Sequence, residues 1–134
     1  MNITNQELTM LIERAINARK NAYCPYSHYA VGAAILTHDN TILTGTNIEV
    51  SALRLGCCAE QLVLLNARAQ GYGQLKALVI VTDDGQTPCG TCRQLLYELY
   101  GDVTVIIAKT DATHVASSTL KLLPTPFKKE PCCK

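Results

Sequence analysis

Three cysteines and one glutamate stand in a pattern that chemistry can use: Cys58-Ala59-Glu60 and, further along, Pro88-Cys89-Gly90-Thr91-Cys92. Thiolates suit zinc, and a catalytic zinc keeps three protein ligands and one position open to water. Cys89 and Cys92, three residues apart at the start of a predicted helix, can point to one metal, and Cys58 opens another predicted helix. Ligands at helix N-termini profit from the partial positive charge there, which favours thiolate over thiol. Glu60 need not bind the metal. Its task would be to take a proton from an activated water and pass it to substrate and leaving group. Zinc lowers the pKa of its water from about 16 to about 7, and a carboxylate shuttling protons beside it contributes about 10²–10⁴-fold. Cys57 as a fourth ligand would close the site, but neighbouring residues on a helix point about 100° apart. Three ligands with an open position are therefore expected.

The elements that must position these groups follow from periodicity and punctuation. Thr4-Asn5-Gln6-Glu7 forms a capping box. Leu8, Leu11, Ile12, Ala15 and Ile16 then keep helical spacing, and the helix is expected to stop near Tyr23, ahead of Pro25. Ala30 to Thr37 and Thr41 to Asn47 predict a hairpin turned by His38-Asp39-Asn40. Cys58 to Gln70 predicts the second helix, stopped by Gly71. Leu75 to Thr82 is a nearly continuous apolar strand, as at a sheet centre. Pro88 introduces a third helix from Cys89 to about Leu99. Val103 to Ala108 and His114 to Ser117 predict the last strands, and Leu120 to Leu123 a helical turn before Pro124. This order gives an α/β fold, a mixed sheet of about five strands with helices packed on it. The 134 residues fit one domain, 1–134, without repeat or linker.

Composition narrows the function. The formal net charge is +1 and the basic residues are scattered, so the basic stripe of a nucleic-acid binder is missing. Apolar runs fall far short of the ~20 residues a membrane span needs, and Met1 to Glu7 shows no signal-peptide pattern. Seven cysteines, an odd number, cannot all pair within one chain. In a reducing cytoplasm, the expected location, cysteines serve more often as metal ligands or catalytic groups. Cys24, Cys57, Cys132 and Cys133 lie outside any motif, and His28, His38 and His114 read as loop or surface residues.

His or Cys, any residue, Glu, then Pro-Cys-x-x-Cys, with the Glu outside the ligand set, is the arrangement of zinc deaminases. From about Tyr23 to Phe127 the sequence resembles the cytidine deaminase family in its small homotetrameric form. The resemblance is carried by Cys24-Pro25-Tyr26-Ser27-His28-Tyr29, Val31-Gly32-Ala33-Ala34, Gly45-Thr46-Asn47-Ile48-Glu49, the two cysteine motifs with Arg93-Gln94, and Leu122-Leu123-Pro124. It implies a three-layer αβα fold with the five-stranded sheet sandwiched by helices. It also implies one Zn²⁺ per subunit on Cys58, Cys89 and Cys92, Glu60 as the catalytic proton carrier, and a free cytosine nucleoside as substrate. Asn47 and Glu49 match the pair that hydrogen-bonds the ribose, and Tyr29 falls where a Phe usually lines the pyrimidine pocket. Ala59 would offer backbone groups to the base, and Phe127 matches an aromatic that reaches a neighbouring subunit's site.

Departures from the family pattern bear on the chemistry. Gln61 replaces the usual Arg after the catalytic Glu. Zinc on three thiolates carries a formal charge of −1; Gln61 can offset it only with a neutral hydrogen bond, leaving Arg93 to compensate. A higher water pKa and a more alkaline activity profile are expected. Val50 stands for an Asn and Leu53 for a pocket Tyr, so the surroundings of the site become more apolar. Two rivals keep the same chemistry: deamination of a cytosine-containing antibiotic such as blasticidin S, against which Asn47 and Glu49 speak, and deamination within a polynucleotide, against which the charge speaks. A zinc-stabilised binding module without catalysis would need four protein ligands.

Overall fold

The structure, a computed structural model, describes residues 2–130; Cys132 and Cys133 lie outside them. Helix α1 (Asn5–Arg19) opens on the predicted capping box: Thr4 Oγ1 accepts from the Glu7 N–H at 3.1 Å, and Glu7 Oε2 accepts from the Thr4 N–H at 2.8 Å. The helix ends earlier than Pro25 alone dictates. The Tyr23 N–H donates to the Asn47 carbonyl at 3.1 Å, and the Tyr23 carbonyl accepts from the Glu49 N–H at 2.8 Å. Tertiary backbone pairing thus holds Tyr23 outside the helix.

Five strands follow the expected order: β1 (Gly32–Thr37), β2 (Ile42–Thr46), β3 (Leu75–Thr82), β4 (Thr104–Lys109) and β5 (His114–Ser118). They form one sheet in the order β2-β1-β3-β4-β5. β3 and β4 run parallel and every other neighbouring pair antiparallel. Helices α2 (Ala59–Ala69) and α3 (Gly90–Tyr100) fall close to their predicted spans, and α4 (Thr119–Leu122) is the short turn before Pro124. A 3₁₀ turn at Leu53–Leu55 was not legible in the periodicity.

Both faces of the sheet are covered, which makes the mixed sheet the middle of three layers. On one face, Leu11, Ile12 and Ala15 of α1 pack on Ala34, Leu36, Val79 and Val81. On the other, Val63, Leu64 and Ala67 of α2 and Leu96 of α3 pack on Ala33, Ile35, Leu78 and Ile80. Alternate residues of β3 thus enter opposite cores, and the strand reads as an unbroken apolar run because neither face meets water. The crossover β3–α3–β4 sets the N-terminus of α3 beyond the carboxyl end of β3, where open α/β sheets bind ligands. α2 lies on β2 at Gly45. A Cβ there would stand 2.6 Å from the Ala59 carbonyl oxygen and 3.1 Å from Val63 Cβ, so only a bare strand admits the first turn of α2. Among the described residues no helix is long and apolar enough to cross a membrane.

Candidate metal centre and substrate pocket

Cys58 is the N-cap of α2, Cys89 the N-cap of α3, and Cys92 lies in the first turn of α3. The fold brings their sulfurs together: Cys58 Sγ is 4.0 Å from Cys89 Sγ, and Cys89 Sγ is 3.4 Å from Cys92 Sγ. All three lie within 4.8 Å of one another, the group among the described residues able to hold a metal ion. Tetrahedral zinc with bonds of about 2.3 Å would set its sulfurs about 3.8 Å apart, so the spacing fits the ion. The thiols already share protons unevenly. Hydrogen bonding from Cys92 draws Cys58 down to about 7, against the opposing effects of burial and Glu60. Cys92, 1% exposed, is pushed up by its hydrogen bond to Cys58 and by burial. A divalent cation entering the group displaces the remaining protons.

Cys57 is not part of this group. Its backbone pairs with Ile48, N–H to O at 3.0 Å one way and 3.1 Å the other, and burial pushes its thiol up. Among the described residues the four-ligand closed site therefore has no fourth sulfur. Glu60 occupies the first turn of α2 and is only 5% exposed. Burial raises its pKa; its own backbone N–H and the Cys92 thiol pull the other way. A carboxyl so placed is poised to hold a proton as well as to take one.

The structure gives Gln61 and Arg93 hydrogen-bond partners that their residue types alone did not specify. The Gln61 side-chain oxygen accepts from the Cys58 N–H at 3.0 Å, as the N3 residue of a capping box does. Its amide oxygen is thus engaged in placing the helix start that carries Cys58. Arg93 donates to the Pro88 carbonyl at 2.7 Å, the Leu122 carbonyl at 2.7 Å and Thr87 Oγ1 at 2.8 Å. It clamps the approach to Cys89 against the end of α4, and these bonds go to oxygen rather than to the sulfurs.

A cavity of about 740 Å³ opens onto the metal group. Tyr29, Asn47, Glu49, Ala59 and Glu60 all line it, together with Cys58 and Cys89. Val50 and Leu53 contribute apolar wall, as their residue types predict. Asn47 is buried and doubly used: its Oδ1 accepts from the Val31 N–H at 2.9 Å and its Nδ2 donates to the Tyr29 carbonyl at 2.7 Å. One N–H and one lone pair are left to offer a ligand. The Glu49 carboxylate accepts from Ser27 Oγ at 2.6 Å and from the Ser27 and Tyr26 N–H groups at 3.0 and 3.2 Å. These bonds, the Ser27 hydroxyl first, hold its pKa below the usual carboxylate range.

Phe127 does not join the cavity of its own chain. It is 66% exposed, and its backbone is pinned by Gln94, which donates to the Phe127 carbonyl at 2.9 Å and accepts from its N–H at 3.1 Å. His28 sits in the left-handed region at φ 56° and closes a turn onto the Cys24 carbonyl at 3.0 Å. His38 and His114 are exposed, as predicted, although His114 opens β5. Sequence reasoning missed Ser27, the main partner of Glu49; its place two residues after Pro25, at the turn, was the available signal.

The comparison with protein families decides the relationship: the family described as "Cytidine and deoxycytidylate deaminase zinc-binding region" matches residues 5–109. The chain belongs to this family. Among members of the deaminase family it is 41% identical over 131 residues to the probable cytidine deaminase of Dictyostelium discoideum, covering 96% of this chain and 88% of that protein. It is 39% identical over 127 residues to the cytidine deaminase of Sporosarcina psychrophila, covering 92% and 93% of the two chains. The crystal structure of the cytidine deaminase from Burkholderia pseudomallei superposes with a TM-score of 0.85 at 37% identity, over 93% of this chain and all of that one. The three-layer fold is thus that of the deaminase family, and the three-thiol group is able to hold the metal that the family's description names.

Proposed function

We propose that this chain is a zinc-dependent deaminase that converts cytidine or 2′-deoxycytidine to the uridine counterpart with release of ammonia. The observation that carries this reading is the buried Glu60 beside a three-sulfur group in one cavity. A zinc ion held by Cys58, Cys89 and Cys92 would supply Lewis acidity and a water activated near neutral pH. Everything else falls to the side chains. Glu60 takes a proton from the attacking water and delivers it to N3 of the ring. As the C4–O bond forms and the C4–N bond breaks, it passes the second proton to the departing amine. Its raised pKa suits a group that must be acid and base in turn. Asn47 and Glu49 have hydrogen-bonding capacity left for ribose hydroxyls, the Ala59 backbone would offer groups to the base, and Tyr29 would offer an aromatic wall.

Three sulfurs without a fourth among the described residues speak against a purely structural zinc module. The same reading takes residues 1–134 as one deaminase-like domain, supported by the single sheet to which α1, α2 and α3 pack. It places the protein in the cytoplasm, where its free thiols stay reduced. It also makes the enzyme a homotetramer with Phe127 completing a neighbour's site. Leu53 and Leu55, each 80% exposed beside the pocket, together with the exposed Phe127, support such an assembly.

The test is turnover of cytidine, deoxycytidine and blasticidin S by the zinc-loaded protein, with Glu60→Ala alongside. The variant should bind zinc at full stoichiometry and lose about 10²–10⁴-fold in rate. Full activity in Glu60→Ala, or turnover of blasticidin S alone, would refute the assignment. Light scattering should give four chains per particle.

A further inference from the structure

The segment ahead of β1 and the loop between β3 and α3 both line the cavity, and two side chains fasten them together. The Tyr29 hydroxyl donates to Asp84 Oδ1 at 2.6 Å. Arg19, the last residue of α1, donates through Nε to the Ala30 carbonyl at 2.9 Å and pairs its Nη2 with Asp83 Oδ2 at 2.8 Å. Adjacent residues of one segment are thus tied to adjacent residues of the other.

Tyr29 is also a node on the sugar-facing side. Its carbonyl accepts from Asn47 Nδ2 at 2.7 Å, and its N–H donates to Ser27 Oγ at 3.0 Å, the same hydroxyl that donates to Glu49 at 2.6 Å. On the far side, Asp84 Oδ2 accepts from Gln86 Nε2 at 3.2 Å. Thr82 Oγ1 accepts from the Gly85 and Gln86 N–H groups at 2.9 and 3.0 Å. Thr87 and Pro88 then lead directly to Cys89. One hydroxyl therefore closes a chain of bonds from Glu49 to the approach of a metal ligand. Donor and acceptor suit each other: burial, then Asp84, keeps the proton on Tyr29, and the bond holds Asp84 ionised. A phenylalanine, the residue that the family resemblance places at 29, could not make this bond.

We propose that Asp84 is a positioning residue, acting through the Tyr29 hydroxyl to fix the aromatic wall and the sugar-facing pair against the metal-bearing loop. The inference rests on the deaminase reading above and adds a determinant of substrate affinity that the zinc motif does not contain.

Steady-state kinetics with cytidine on the zinc-loaded protein test it, with thermal melting of each variant as the folding control. Tyr29→Phe keeps the ring and removes the bond; Asp84→Ala removes the acceptor. Each should raise KM about two- to tenfold, the range for losing one typical hydrogen bond, with kcat nearly unchanged. The double variant should be no worse than Asp84→Ala alone, because Tyr29→Phe removes an interaction that variant already lacks. Unchanged KM in folded single variants, or effects that multiply in the double, would overturn the latch alone. Absence of cytidine turnover in the unaltered protein would overturn the functional reading, and the latch as a determinant of KM with it.

Discussion

The first turns of α1 and α2 share one geometry and use it differently. At α1, Thr4 and Glu7 cap each other's backbone N–H, and the second Glu7 oxygen accepts from Lys76. At α2 the N3 residue, Gln61, again reaches back to the N-cap N–H, but the N-cap is Cys58, whose sulfur faces Cys89 across 4.0 Å. A capping box can therefore be half spent on helix stability and half released for chemistry. Gln61 serves the backbone of the helix start, while the position normally filled by a hydroxyl presents a sulfur able to hold a metal at the positive end of the helix dipole.

Breaking the released half should have the largest effect. Cys58→Ala is expected to abolish stoichiometric zinc and turnover together, read by metal analysis of purified protein beside the activity assay. Next comes the proton dependence of the same sulfur. With Cys58 near 7, below an ordinary thiol, it is already thiolate at pH 8 and protonated at pH 6, whereas Cys92 retains its proton until metal arrives. Zinc affinity should therefore fall as pH drops through about 7, and binding should release protons. Competition with a chromophoric chelator at pH 6, 7 and 8 measures this; equal affinities at all three would contradict it.

The capping half of α2 predicts an intermediate effect. Gln61→Ala leaves the Cys58 N–H without its acceptor and should weaken zinc binding by roughly tenfold, as loss of an outer-shell partner does. Gln61→Arg also adds a positive charge beside a formally anionic centre, and its rate profile should shift toward acid; an unmoved profile would show that the charge at this position is immaterial. The smallest effect belongs to α1. Thr4→Ala should cost about 1 kcal/mol in chemical denaturation and leave zinc content and KM unaltered, separating a cap that only stabilises from one that also aims a ligand.

Much of this arrangement was legible in the sequence because its signals are local. The capping box of α1, the two cysteine motifs at helix starts and the unbroken β3 each declare themselves within a few residues. What escaped depends on residues distant in the chain. Tyr23 leaves the helix because Asn47 and Glu49 pair with its backbone, which Pro25 alone does not reveal. Gln61 was expected to act on the metal's charge, and its use as a cap emerges only from side-chain direction. Arg93 was expected to offset the thiolates, yet its partners lie on either side of α3 in the chain, at Thr87, Pro88 and Leu122. Tyr29 and Asp84 meet across the sheet's end, with nothing in the spacing to couple them.

Gly45 carries a consequence for redesign. It belongs neither to the three-sulfur group nor to the cavity lining, yet the first residue of α2 rests its carbonyl on the empty place where a side chain would begin. Adding even a methyl group there would displace the helix start and take Cys58 off a metal geometry that tolerates only about ±0.2 Å. Engineers reshaping this pocket for bulkier bases should treat β2 as a fixed abutment and seek their freedom instead around Val50 and Leu53.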